Sequence, residues 1–182
     1  MDNRPESPLT RGYNARRENR LEDAKEAFTE AVSLYRKSNN PRLLAQSLTN
    51  LGATERDLGA TEGARECYEE ATALFRTVND PLSLAQTVRH VGDILREEGR
   101  LAPAEPHYRE ALDIYCGQED TPPLDLANAI RGFALLQQET GHREEALELW
   151  QEARELYAYV EVDAGVAESD EQIGKLTVAE TR

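Results

Sequence analysis

Three stretches of this chain superimpose on one another without a gap. Leu44–Phe75, Leu84–Tyr115 and Leu126–Tyr157 share one pattern at offsets of 40 and then 42 residues. A period of this length is the signature of stacked supersecondary units, none of which can bury its apolar face alone. The pattern inside each unit is helical. In the first half, Leu44, Leu48, Leu51 and Leu58 form one stripe, matched by Leu84, Val88, Val91 and Leu95 and by Leu126, Ile130, Phe133 and Leu136. These spacings place the residues on one helix face. Gly59, Gly99 and Gly141 then mark a tight turn. The second half carries a small–large–small series: Ala64, Tyr68, Ala71; Ala104, Tyr108, Ala111; Ala146, Trp150, Ala153. Alanine lets two helices approach closely and the ring fills the gap between them.

The same register extends to both ends. Subtracting 40 from the second unit puts Gly12, Arg16, Ala24, Phe28, Ala31 and Tyr35 in the matching positions, so Leu21–Lys37 is expected to be a second helix and roughly Ser7–Glu18 a degraded first one. Val166–Leu176 repeats only the start of a unit, with Ala167, Ile173 and Gly174 in the positions of Ala85, Val91 and Gly92, and is expected to cap the array. Between units stand Asn39-Asn40-Pro41, Asn79-Asp80-Pro81 and Asp120-Thr121-Pro122-Pro123, with Asp163-Ala164-Gly165 as a weaker fourth case. The first three each join a helix C-terminus to a capped, proline-led N-terminus. Pro106 predicts that its helix starts late or kinks. The expected organisation is a single domain over 1–182: repeat 1 at about 7–38, repeat 2 at about 41–78, repeat 3 at about 81–117, repeat 4 at about 123–161, a capping helix at about 164–176 and a tail at 177–182.

Composition narrows the functional classes. The chain is 39% apolar and carries a net charge of −14, with a mean hydropathy of −0.69. Nucleic acid and anionic membrane both require a cationic footprint, so neither is an expected partner. The N-terminus has no apolar run that would read as a signal peptide, and no stretch has the ~20 apolar residues of a membrane span. Cys67 and Cys116 are isolated thiols, which points to a reducing, cytoplasmic setting. His90, His107 and His142 have no metal-ligand spacing, and no phosphate loop, nucleophile elbow or Cys–His pair is visible. The chain therefore reads as a non-enzyme without cofactor or metal.

The Leu/Val–Leu/Val–Gly series of the first helices (Leu48, Leu51, Gly52; Val88, Val91, Gly92; Phe133-Ala134 in the fourth unit) and the Ala–aromatic–Ala series of the second resemble the tetratricopeptide repeat (TPR) family over nearly the whole chain, about residues 7 to 176. The repeats are longer than the usual 34 residues, which resembles the kinesin-light-chain type. Two further departures stand out. Glu55, Leu95 and Gln137 occupy the place of a late aromatic in the first helix, and the closing proline is displaced to Pro41, Pro81 and Pro123. The resemblance implies an all-α fold, a right-handed α-solenoid of antiparallel helix hairpins with a C-terminal capping helix. It also implies that first helices line a concave groove where a peptide binds.

On that assignment the groove side presents Arg16, Gln46, Asn50, Arg56, Gln86, Arg89, His90, Arg96, Asn128 and Arg131. Arg16, Arg56 and Arg96 share one position in successive repeats, and Arg89 and Arg131 share another. Arginine forks suit carboxylates, while Gln and Asn suit a peptide backbone. The same column is also what duplication of a solvated arginine would leave, with Glu55, Asp57, Asp93 and Glu97 close enough to neutralise it; both readings stand. Family members that clamp a C-terminal carboxylate use Lys, Asn and Arg where this chain has Leu9, Tyr13, Asn50, Gln86 and His90, and only Asn50 fits, so no such clamp is expected. The functional expectation is a protein-interaction scaffold or adaptor, monomeric or weakly self-associating, that takes a peptide segment, acidic in one version, in the groove. A self-associating structural unit and a peptide-sensing regulatory module are the alternatives.

Overall fold

The structure is a computed structural model that describes residues 6–178. The expected tail beyond Val178, and the first five residues of the stretch read for a signal sequence, lie outside the described residues. Nine helices and no strand make up the described residues: α1 (Pro8–Arg17), α2 (Leu21–Lys37), α3 (Pro41–Asp57), α4 (Thr61–Val78), α5 (Pro81–Glu97), α6 (Leu101–Cys116), α7 (Pro123–Glu139), α8 (Arg143–Tyr159) and α9 (Asp163–Val178). The fold is an all-α solenoid of helix hairpins closed by a terminal helix. The chain gathers into two compact units, Met1–Thr87 and Val88–Arg182, the division falling within α5.

The turns explain why helices begin and end where they do. Gly59, Gly99 and Gly141 have φ of 79°, 73° and 85°, a region that costs glycine nothing. Asn19 fills the same position in the first repeat at φ 57°; asparagine is among the few other residues that adopt this conformation readily. Between repeats, Asn39 and Asn79 both have φ 52°. Asn40 then accepts a hydrogen bond from the Leu43 N–H at 3.1 Å, and Asp80 accepts one from the Ser83 N–H at 3.3 Å. Pro41, Pro81 and Pro123 begin their helices, where no amide hydrogen is needed.

Three details differ from the sequence reading. The fourth boundary turns at Glu161, with φ 58°, so Asp163-Ala164-Gly165 is already the first turn of α9. The left-handed residue sits at the same repeat position as Asn39 and Asn79, and position prevailed over residue type. Secondly, α6 does not start late: it runs from Leu101 with Pro106 inside it, because hairpin packing of Ala104 and Tyr108 holds the turn despite the lost amide donor. Thirdly, α9 buries Gly165, Ser169 and Leu176, whereas Ala167 and Gly174 are exposed; no helix among the described residues packs on the face they would line.

In the first unit one core joins Leu9 and Ala15 of α1, Phe28 and Val32 of α2, Leu44, Leu48 and Leu51 of α3, and Ala71 and Phe75 of α4. In the second unit Ala127, Ile130, Ala153 and Tyr157 form one cluster, and Ala134, Ala146, Trp150 and Leu176 another. The close seam within a hairpin is set by small first-helix residues. A Cβ on Gly12 would stand 2.4 Å from the Phe28 ring, and one on Gly52 would stand 3.3 Å from Tyr68.

Two glycines of α9 give a test of this packing with opposite signs. A Cβ on Gly165 would lie 2.4 Å from the root of the buried Tyr157 ring, while Gly174 has nothing within 4 Å. Gly165→Ala is expected to destabilise the protein by about 1–3 kcal/mol through overpacking. Gly174→Ala is expected to stabilise it by about 0.5–1 kcal/mol through helix propensity. Urea unfolding of the two variants checks both signs.

Candidate functional site

The residues expected to face a ligand lie on α1, α3, α5 and α7, and each unit arranges them differently. In the first unit they surround a cavity of about 210 Å³ lined by Tyr13, Gln46, Thr49, Asn50, Ser83 and Gln86, with Phe75 also contributing. Tyr13 rests edge-on against Phe28 at 5.7 Å between ring centroids. Its hydroxyl accepts from Asn50 Nδ2 at 3.1 Å, and the same amide donates to the Gln46 carbonyl at 2.7 Å. Asn50 is thereby held with its Oδ1 unused among the described residues. Gln46 and Gln86 have no side-chain partner among the described residues. Thr49 is occupied by the Ala45 carbonyl at 3.0 Å. The lining is therefore rich in hydrogen-bonding groups and has no formal charge.

The arginines are not free forks. Arg16 donates to Asp57 through Nη2 at 2.8 Å and Nε at 3.3 Å, tying α1 to α3. In the second unit Arg96 donates to Glu139 at 2.6 Å, tying α5 to α7, and Arg131 makes a two-pronged contact with Glu168 at 2.6 and 2.7 Å, tying α7 to α9. Arg56 is half-buried near the end of α3. Arg89 donates to Asp93 at 2.7 Å along its own helix. Asn128 accepts from the Tyr157 hydroxyl at 2.9 Å.

Asp93 is the centre of a buried polar cluster. Its Oδ1 accepts from the Tyr108 hydroxyl at 2.8 Å and its Oδ2 from Arg89, with His90 Nδ1 3.6 Å from Oδ2. Burial pushes this carboxyl up; the His90 imidazole, the Arg89 charge and the Tyr108 hydroxyl outweigh it and hold the carboxyl at about 2. Burial and the adjacent Asp93 charge raise the Tyr108 phenol. Arg89 Nη2 lies 3.2 Å from His90 Nε2. A guanidinium only donates, so this contact is a hydrogen bond with Nε2 as the acceptor. Gly132 of α7 completes the cluster: a Cβ there would stand 2.6 Å from the Tyr108 ring and 3.1 Å from Asp93 Oδ1.

Among the described residues no helix is long and apolar enough to cross a membrane, and no group of three or more His, Cys, Asp or Glu could hold a metal ion. The net charge is uneven: residues 1–87 carry 14 acidic and 12 basic side chains, and residues 88–182 carry 21 and 9, so the second unit accounts for 12 of the 14 surplus negative charges.

A family model described as Tetratricopeptide repeat matches residues 6–77 and 43–117, together more than half of the chain. The chain belongs to the tetratricopeptide repeat family. Among solved structures, BtubC (BKLC) from P. vanneervenii superimposes with a TM-score of 0.82 at 16% identity, covering 96% of this chain and 72% of that one. The nearly identical TPR-like repeats of kinesin light chain type from Podosopora anserina superimpose with a TM-score of 0.74 at 16% identity, covering 98% and 90%. At this identity the likeness is one of fold. A comparison with curated proteins gives no match. The kinesin-light-chain character read from the 40–42-residue TPR period agrees with these neighbours.

Sequence reasoning missed what reaches the first helices from the second helices. In the sequence Tyr108 reads as a packing residue and Tyr157 only as the end of a unit, yet their hydroxyls end on Asp93 and Asn128. The Trp150 indole N–H likewise donates to Gln138 at 3.2 Å. A signal was available: a buried Tyr or Trp needs a partner for its polar tip. Glu139 and Glu168 were also missed as partners of the arginine column.

Asp93→Ala is expected to cost about 3–5 kcal/mol, because it leaves Arg89 and Tyr108 buried without their shared acceptor. The depressed value also sets an acid dependence. With the folded value near 2 and the ordinary value at 3.8, the carboxylate stabilises the fold above about pH 4. That contribution, on the order of 2 kcal/mol, is lost as pH falls toward 2. Urea titrations from pH 5 to 2 should show a smaller acid loss in Asp93→Asn than in the wild type.

Proposed function

We propose that this protein is a non-catalytic interaction scaffold that takes an extended peptide segment of a partner protein on the face of its first helices. Membership of the tetratricopeptide repeat family, whose repeats generally mediate protein–protein interactions, supports the class. The observation that carries the finer reading is the uncharged cavity of the first unit, where Gln46 and Gln86 carry full amide groups with no partner among the described residues and Asn50 offers a fixed acceptor. Such groups match the alternating N–H and C=O of an extended backbone, and they do so without a charge requirement on the ligand.

An acidic ligand gripped by the arginine column has weaker support. Arg16, Arg89, Arg96 and Arg131 each hold a carboxylate of this chain, so a ligand carboxylate must displace one already in place. The surplus of negative charge in the second unit opposes its approach at long range.

The test uses the intact chain as bait and identifies captured partners, with Gln46→Ala/Gln86→Ala as the comparison. Each amide is expected to contribute about 1 kcal/mol of binding, so the double variant should lose roughly tenfold or more in affinity for the captured partner while keeping its melting temperature. Retention of the same partner at unchanged affinity would remove the first-helix face as the binding surface.

A further inference from the structure

The cavity of the first unit departs from the repeat pattern. At about 210 Å³ it is smaller than the roughly 300–1,000 Å³ of small-molecule sites, and it has room for one side chain. Three of its lining residues are smaller than their equivalents in the later repeats. Thr49 stands where Arg89 and Arg131 stand, Phe75 where Tyr115 and Tyr157 stand, and Ser83 where Asp125 stands. Each exchange removes a charge or a hydroxyl.

The second unit shows what the missing groups do. There the Tyr157 hydroxyl donates to Asn128 at 2.9 Å. Gln46 holds the position of Asn128 in its own repeat, and Phe75 has no hydroxyl to offer it. The Tyr115 hydroxyl is buried, with the charges of Asp125 and Arg89 acting on it. In the first unit both kinds of group are gone, and the walls keep donors and acceptors in reserve. Tyr13 accepts from Asn50 at 3.1 Å and has its own proton left to donate. Asn50 Oδ1 is unused among the described residues, and Gln46 and Gln86 each present a donor and an acceptor.

We propose that this cavity is a specificity pocket for one carboxamide side chain, glutamine or asparagine, of the bound peptide. This rests on the reading of the first-helix face as the peptide-binding surface and adds which side chain that surface selects. The lining discriminates among three kinds of side chain. A charged one would leave water for walls that hold no countercharge. An aliphatic one would cover the polar groups of Asn50 and Gln86 and leave them unpaired. A carboxamide brings N–H donors and a carbonyl acceptor together, so it can donate to Asn50 Oδ1 and accept from the Tyr13 hydroxyl or a glutamine amide. Gln46 is exposed and stays available to the peptide backbone.

The test is amide NMR of the isotope-labelled full chain, titrated with blocked tripeptides of the form acetyl-Gly-X-Gly-N-methylamide in which X is glutamine, leucine or glutamate. The side-chain amide signals of Gln46, Asn50 and Gln86 report on the cavity directly. The glutamine tripeptide should shift them saturably, with a dissociation constant about tenfold or more below those of the leucine and glutamate tripeptides. Thr49→Arg/Phe75→Tyr, which restores the residues of the third repeat, should keep the melting temperature and lose the saturable shift, and Thr49→Arg alone should lose it too. Equal binding of the three tripeptides, no saturable shift with the glutamine one, or a shift that persists undiminished in either variant would each overturn the proposal. Gln46→Ala/Gln86→Ala against the captured partner tests the first-helix face by itself: a loss there, without a preference for the glutamine tripeptide, removes the pocket and leaves the face.

Discussion

Everything in this fold depends on how closely two helices of a hairpin can approach. Each first helix offers a glycine or alanine, and each second helix sets an aromatic ring against it: Gly12 against Phe28, Gly52 against Tyr68, Gly92 against Tyr108, and Ala134 with Trp150. The ring is large, rigid and fully buried, while the facing residue has little or no side chain. That asymmetry fixes both the distance and the rotation of the pair. A larger residue on the first helix would drive the ring off its rotamer, and a smaller one on the second would leave a cavity. α9 shows the converse: Gly174 keeps the small residue with no ring opposite, and nothing lies within 4 Å.

The same rings connect packing to the binding face. Tyr108 and Trp150 pass through the hairpin and end in polar atoms, which must be satisfied at the far side. Tyr108 ends on Asp93, and Trp150 on Gln138. Residues that look like ligand contacts in a sequence are in this way partly committed to the core. Asp93 accepts from Tyr108 and Arg89 at once, and Gly132 is small because the Tyr108–Asp93 pair occupies the space a side chain would need. A surface position and a core position are thus coupled, and a substitution at either changes both.

Much of the fold was legible because it is periodic. Helix placement, the turn glycines and the proline-led starts all followed from one register, and repetition averaged out the ambiguity of any single residue. Legibility failed where the register was right and the local environment was not repeated. Glu161 turns a chain where Asn39 and Asn79 do, although glutamate gives no turn signal. Pro106 sits inside α6 because tertiary packing outweighed a local preference. The site was less readable than the fold for a different reason. Periodicity identified Gln46, Asn50, Gln86 and the arginines as one face, but it could not say which of them are already engaged. That depends on carboxylates 37 to 43 residues away, such as Glu168 opposite Arg131 and Glu139 opposite Arg96, and pair interactions at that range leave no pattern in a single sequence.

Those long-range pairs change what an arginine column means. In isolation, a row of guanidinium groups on an acidic protein reads as a binding strip. Here Arg16, Arg96 and Arg131 each bridge to the next first helix, so the row also acts as a set of struts between neighbouring helices. Exposed ion pairs of this kind contribute little stability singly, and their geometry can still hold the spacing of the two helices that each one joins. A strut and a ligand contact use the same fork, and a ligand that takes the fork loosens the strut. Binding at such a position is therefore tied to the spacing of the helices that present it, whereas the uncharged cavity bounded by Gln46, Asn50 and Gln86 can be filled without breaking an internal contact.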